Sequence, residues 1–193
     1  MSVRRICPSG LACLLLCALI GSPLMMAAGT PAPRRDPLTE KEADLVREAQ
    51  ALDKRTEVFT KAVERRLLAL AGPSAANSKQ AQKDAEKWGE LPQGTRAELL
   101  YDIAGILDEA VTNIEDVGSH NAKSSLIPKS LRILAEASNR FLPQLTAMRE
   151  RAQEEREKDA LERAIEGAQE IITAASKLPP ETQPTGKPKK QKG

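Results

Sequence analysis

The sequence predicts an all-α protein, an antiparallel up-down-up-down bundle of about four principal helices plus one short helix, with disordered termini. Three observations lead there. Ala, Leu, Glu, Lys and Arg dominate a chain in which aromatics are only 2% of residues, so strong helix formers far outnumber strand formers. Apolar residues recur at steps of three and four, the spacing of one helix face. Polar, Gly- or Pro-containing breaks fall between those periodic segments at intervals that suit short connections.

Residues 1–28 read as a secretory signal peptide. Arg4 and Arg5 precede the apolar run LACLLLCALI, Gly21, Ser22 and Pro23 break it, and Ala27, Ala28 and Gly29 supply small residues for cleavage. An uncleaved anchor is the competing reading, because Leu11 to Ala28 approaches the roughly 17 to 20 residues of a membrane span; Pro23 and the short apolar core weigh against it. Cys7, Cys13 and Cys17 all lie in this segment, so a processed chain of about 165 residues has no thiol. Disulfides, a CxxC redox pair and haem attachment are then excluded. No small residue precedes Cys17, which argues against lipid anchoring. The chain is expected to be exported, periplasmic or secreted.

Residues 29–37 form a Pro-rich lead, expected to be disordered, and the bundle domain is expected over 38–178. Thr39 and Glu42 have the spacing of a capping box. After it, Leu45, Ala49, Leu52, Thr56, Phe59, Val63 and Leu70 form one seam, interrupted at Arg66 with Leu67 beside it. That pattern predicts a single helix of about 30 residues with coiled-coil-like packing, ended by Gly72 and Pro73. After the loop Ser74 to Ser78, Ala81, Ala85 and Trp88 predict a short helix that fastens Trp88 to the bundle. Pro92 and Gly94 close it.

A second long helix is predicted from Thr95 to Val117, stopped by Gly118. A third begins near Pro128, which suits a first turn, and Pro143 is expected to kink or divide it. Residues 149–158 are either a turn or a charged stretch of continuous helix, and a helical hairpin is the favoured reading. The last helix carries Leu161, Ile165, Ala168, Ile171, Ile172 and Ala175 and ends near Leu178. Residues 179–193 should be a disordered basic tail.

The candidates for chemistry are few. Glu98, Asp102, Glu109 and Asp116 lie roughly a heptad apart. With Ile103 set to zero they fall near −100° to −140°, with Asp108 and Glu115 near +120° to +140°. They are therefore expected to border the buried seam as a solvated face. Carboxylate metal sites in bundles add Glu-x-x-His motifs, which the sequence lacks. His120, the single histidine, is expected in a turn with Ser119, Ser124 and Ser125, residues that cap turns without a catalytic role. Tyr101 is expected to be exposed or to contact the Trp88 helix.

The 29 basic and 27 acidic residues become equal in number once Arg4 and Arg5 are removed. Four of the bases, Lys187, Lys189, Lys190 and Lys192, sit in the tail, leaving a mildly acidic body that does not suit nucleic acid. The tail lysines offer contact with anionic envelope polymer or lipid, with a solubilising tail as the default reading.

The segment PLTEKEADL (37–45) resembles the LTxxQ motif of exported helical chaperones and stress sensors related to the Spy and CpxP group. Leu38 and Thr39 match, and Glu42 stands where glutamine would be. The resemblance covers under a tenth of the chain, and a capping box accounts for the same residues. The expectation is a non-catalytic interaction or structural module of the bacterial envelope with an unknown protein partner, without catalytic, cofactor or metal residues. The alternative is a periplasmic chaperone or stress sensor for unfolded or apolar clients.

Overall fold

A computed structural model describes residues 35–73 and 79–180, and all the described secondary structure is helical. The signal segment, residues 29–34, the loop 74–78 and the tail from 181 lie outside the described residues. Among the described residues six helices follow in order: α1 (Glu40–Glu48), α2 (Leu52–Leu70), α3 (Lys79–Trp88), α4 (Arg96–His120), α5 (Leu126–Arg149) and α6 (Glu155–Ser176).

The four long helices alternate in direction. Lys129 of α5 meets Asp53 of α2 at 2.6 Å, and Arg140 meets Glu64 at 3.3 Å. Both pairs advance together, so α2 and α5 run parallel. Arg55 donates to Asn113 at 2.9 Å while Arg66 approaches Asp102, so α2 and α4 run antiparallel. Arg96 and Tyr101 of α4 reach Glu157 and Asp159, which sets α4 parallel to α6. Each long helix packs mainly on two others: α4 on α2 and α6, and α5 on α6 and α2. The step from α4 to α5 therefore crosses the bundle diagonal.

The core is aliphatic. Phe59, Ala62, Val63, Leu100, Ile103, Ile106, Leu107, Ala110, Leu134, Phe141, Leu145, Leu161 and Ala168 are almost wholly buried. Burying a Leu or Ile side chain stabilises by about 1.5–3 kcal/mol, and the alanines let the helices approach closely. The turn at 150–154 separates α5 from α6, so the helical hairpin is the form observed.

Several expectations are corrected. The single helix from Thr39 to Leu70 is two helices, broken at 49–51, where Ala49 and Ala51 are extended. The break is forced from outside: α1 folds back so that Glu42 meets Arg65 at 2.9 Å. On one straight helix those residues would stand about 35 Å apart. Gly118 does not stop α4; the helix continues to His120, and the Asn121 N–H caps it on the Val117 carbonyl at 2.8 Å. Pro143 does not divide α5, because it lies on the exposed face, where the missing N–H costs one hydrogen bond outside the core. Ala85 is exposed, so Trp88 alone of the short helix's expected apolar face is seen to enter the bundle; the side chain of Ala81 lies outside the description. Arg35 to Pro37, expected in the disordered lead, lie against α4, and the Gly105 Cα leaves Pro37 the space a Cβ would crowd.

Both capping boxes are formed. Thr39 accepts from the Glu42 N–H while Glu42 accepts from the Thr39 N–H, and Thr95 and Glu98 repeat the arrangement at the head of α4.

Candidate functional site

The most unusual place in the fold is a buried ion cluster where α1, the lead before it, α2, α3 and α4 meet. Three of its members, Glu42, Arg65 and Arg66, are at most 2% exposed in their side chains. Local structure explains how they converge. The Thr39 cap fixes the first turn of α1 and aims Glu42 inward, and the break at 49–51 lays that turn across the second half of α2. There Arg65 and Arg66 occupy the point at which the apolar seam is interrupted.

Glu42 is surrounded by donors. Its Oε1 accepts from Arg65 Nε at 2.9 Å and Arg66 Nη1 at 2.7 Å, and its Oε2 faces Arg66 Nη2 at 2.7 Å and the Thr39 N–H at 3.0 Å. Arg66 thus grips the carboxylate with both ends of its fork, the strongest form of such a pair. Burial pushes the carboxyl upward. The Arg66 hydrogen bond and charge, the Thr39 N–H and Arg65 outweigh it and hold Glu42 below its ordinary value.

Most of the remaining donors join elements, while the buried Arg65 Nη1 and Arg66 Nε have no hydrogen-bond partner among the described residues. Arg65 Nη2 donates to the carbonyls of Trp88 and Gly89, each at 3.2 Å, and to that of Glu90. These groups end α3, and Gly89 adopts φ +72° to turn the chain there. Arg65 is therefore the C-terminal cap of α3, a charge placed where the helix dipole favours a cation. Its guanidinium also lies 6.0 Å from the centre of the Trp88 ring. Arg66 donates to the carbonyl of Ala62 and to that of Pro37, which ties the lead to α2.

Asp102 completes the cluster from α4. Arg35 donates to its Oδ2 at 3.1 Å and to the Gln93 carbonyl at 2.7 Å, and Arg66 Nε stands 3.9 Å away. Burial is the dominant influence on this carboxyl and pushes it up to about 6, against the pull of Arg35 and Arg66; the charges of Glu42 and Glu98 act in the same direction as burial. Two carboxylates in one cluster are thus shifted oppositely. Glu42 has a bidentate arginine, whereas Asp102 has one hydrogen bond from a half-exposed one.

The acid row is accordingly not a uniform solvated face. Asp102 is buried, Glu98 and Glu109 are half-buried, and Asp116, Asp108 and Glu115 are exposed. Burial, then the charge of Asp36, raises Glu109. Glu98 is held below its ordinary value, first by its bond to the Thr95 N–H. The helical wheel misses Asp102 because α4 packs against two helices and the lead, so its buried arc is wider than one seam. Two signals for the cluster were in the sequence: Arg66 in the middle of an apolar row, and Glu42 inside a capping box.

Tyr101 meets neither solvent alone nor the Trp88 helix. Its hydroxyl donates to Asp159 of α6, and Arg163 lies over its ring at 5.9 Å. At the far end of α4, the same His120 nitrogen, Nδ1, faces Ser119 Oγ at 3.0 Å, the Asp116 carbonyl at 2.8 Å and its carboxylate at 3.6 Å. A serine–histidine–aspartate relay uses two different ring nitrogens, so this group caps a helix end. Among the described residues no group of His, Cys, Asp and Glu is arranged to hold a metal ion, and no helix is long and apolar enough to cross a membrane.

No family model, curated protein or solved structure matches the chain. The functional reading therefore rests on the residues and their geometry.

Proposed function

We propose that the chain is an exported, non-catalytic helical-bundle protein of the bacterial envelope, periplasmic or secreted, that serves as an interaction or structural module for a protein partner. One observation carries this reading: the most charged buried place in the fold is engaged internally. Glu42 is bonded by Arg65 and Arg66, Arg65 ends α3, and Arg66 and Arg35 tie down the lead. A catalytic acid or base needs a reacting group within hydrogen-bond reach; here the groups reach one another. Support for export is the order of charged, apolar and small residues in 1–29. The lysines at 187, 189, 190 and 192 would add contact with an anionic envelope polymer or lipid.

Cell fractionation of the tagged full chain, then cross-linking and pull-down from the envelope fraction, tests this. A chain lacking its first 28 or 29 residues, recovered with a protein partner in near-equal amount, is the expected result. Unprocessed chain in the cytoplasm would contradict export, and recovery without a partner would contradict the interaction role.

A second reading, a chaperone or stress sensor for apolar clients, is favoured by the attachment of α1. A helix held by an ion cluster can come away and bare the apolar residues that Ala43 and Val46 now cover. Suppression of client aggregation at substoichiometric amounts would support it; none at equimolar amounts would exclude it.

A further inference from the structure

Between α1 and α2 the chain breaks where its sequence supplies no breaker. Glu48, Ala49, Gln50, Ala51 and Leu52 contain neither Gly nor Pro, and all have high helix propensity. The apolar steps Leu45, Ala49, Leu52 and Thr56 also run straight through. Nevertheless Ala49 has φ −74°, ψ 93° and Ala51 has φ −85°, ψ 139°, both extended. Side-chain bonds, local and long-range, hold the break. Arg55 donates to the Ala49 carbonyl at 3.2 Å and to that of Gln50 at 3.5 Å, and Glu42 anchors α1 in the cluster.

We propose that α1 is an exchangeable element and that the chain forms a swapped dimer. In it α1 and α2 join as one helix over about residues 40–70, and Glu42 of the partner subunit fills the Arg65–Arg66 site. The hinge is only three residues long, the kind of connection that invites exchange. Every docking contact of α1 is recovered on a second copy, while the joined helix regains the backbone hydrogen bonds lost at 49–51.

The occupant follows from the site itself. It takes a buried carboxylate held by a capping threonine, preceded by a leucine that enters the core, and residues 38–42 supply those groups in that order. An extended α1 on a lone chain would carry Ala49 about 5 Å and Leu45 about 10 Å beyond the start of α2, away from the contacts α1 now makes. Two copies related by a two-fold axis cover each other there. The dimer is therefore preferred over an open monomer.

Disulfide reporters distinguish the two arrangements. A Cβ built at Gly89 lies 3.6 Å from the Lys41 Cβ, within the spacing a disulfide requires. The full chain carrying Cys7→Ser, Cys13→Ser and Cys17→Ser is prepared in two forms, one with Lys41→Cys and one with Gly89→Cys. The two are unfolded together, refolded at high concentration and oxidised. The expected result is a covalent dimer of unlike chains. Its absence, while a chain bearing both substitutions closes within itself, would overturn the proposal.

Gly89 has φ +72°, which strains a cysteine there. Pro37→Cys and Gly105→Cys, where a Cβ at Gly105 lies 3.3 Å from that of residue 37 and a shift of a few tenths of an ångström reaches disulfide spacing, form a second reporter without left-handed backbone and with the same outcomes. Light scattering gives an independent reading. Arg55→Ala removes the two hinge caps and should raise the dimer-to-monomer ratio about tenfold. Gln50→Pro, which keeps Ala49 extended, should lower it by a similar factor. A ratio unmoved by both substitutions would refute the hinge mechanism.

Discussion

The two ends of α4 carry the same residue type at the same spacing in different surroundings. At the first end, Glu98 closes a capping box and Asp102 is buried beside Arg35 and Arg66. At the other, Asp116 shares an exposed helix end with Ser119 and His120. Between them Glu109 is half-buried. The difference arises from what lies across the helix. The lead and α1 fold over the first end and exclude water, and nothing among the described residues covers Asp116. Sequence spacing gave all four acids the same angular position, and tertiary coverage separated them.

Removing charge along this comparison should have graded effects. Glu42→Gln leaves two buried arginines facing a neutral group and should cost about 3–5 kcal/mol, measured as a lower urea midpoint. Replacing Glu42 and Arg66 together by leucine should recover most of that loss, because no charge is left buried without its partner.

Asp102→Asn should act in the opposite direction. Its folded value, near 6, lies above the ordinary 3.8. The proton is thus held more tightly in the folded state, and stability is lost as pH rises from about 4 through 6. Asparagine removes that loss, so the variant should be more stable than the parent by about 1–3 kcal/mol at pH 7.5. It should match the parent below pH 4; equal stability of the two at both pH values would show that burial does not penalise the charge. Glu42 titrates the other way, since its stabilisation is present above the ordinary carboxylate value and is lost as acid protonates the folded state.

Glu109→Gln should stabilise at neutral pH in the same sense as Asp102→Asn but by less than about 1 kcal/mol, read from the thermal midpoint at pH 7.5. Asp116→Asn, at the wet end, should stay within about 0.5 kcal/mol of the parent in the same measurement.

Much of the fold was legible because α2, α4, α5 and α6 each carry a seam of Leu, Ile and Ala at helical spacing, with turn residues between them. The turn at 150–154 was the favoured reading because eight of the ten residues 149–158 are charged and none of them is apolar enough to continue a seam. The break at 49–51 was not foreseeable from local signals. Its residues favour helix, and the Arg55 bonds to the hinge carbonyls together with the meeting of Glu42 with residues more than twenty positions away impose it. Asp102 was missed for the same kind of reason. A wheel drawn for one partner assigns one buried arc, and α4 has three surfaces covered. Arg66 was visible as an interruption of the apolar row; the sequence offered no sign that Glu42 was its counter-charge.

The central claim is that the Glu42 carboxylate, bridging Arg65 and Arg66, holds α1 on the bundle. Amide hydrogen exchange of the parent and Glu42→Gln tests it most directly. The claim predicts that amides of Glu40–Glu48 lose protection in the variant while those of Ile106 and Leu107 at the centre of α4 remain slow to exchange. Unchanged protection in α1, or an equal loss in α1 and the centre of α4, would contradict it.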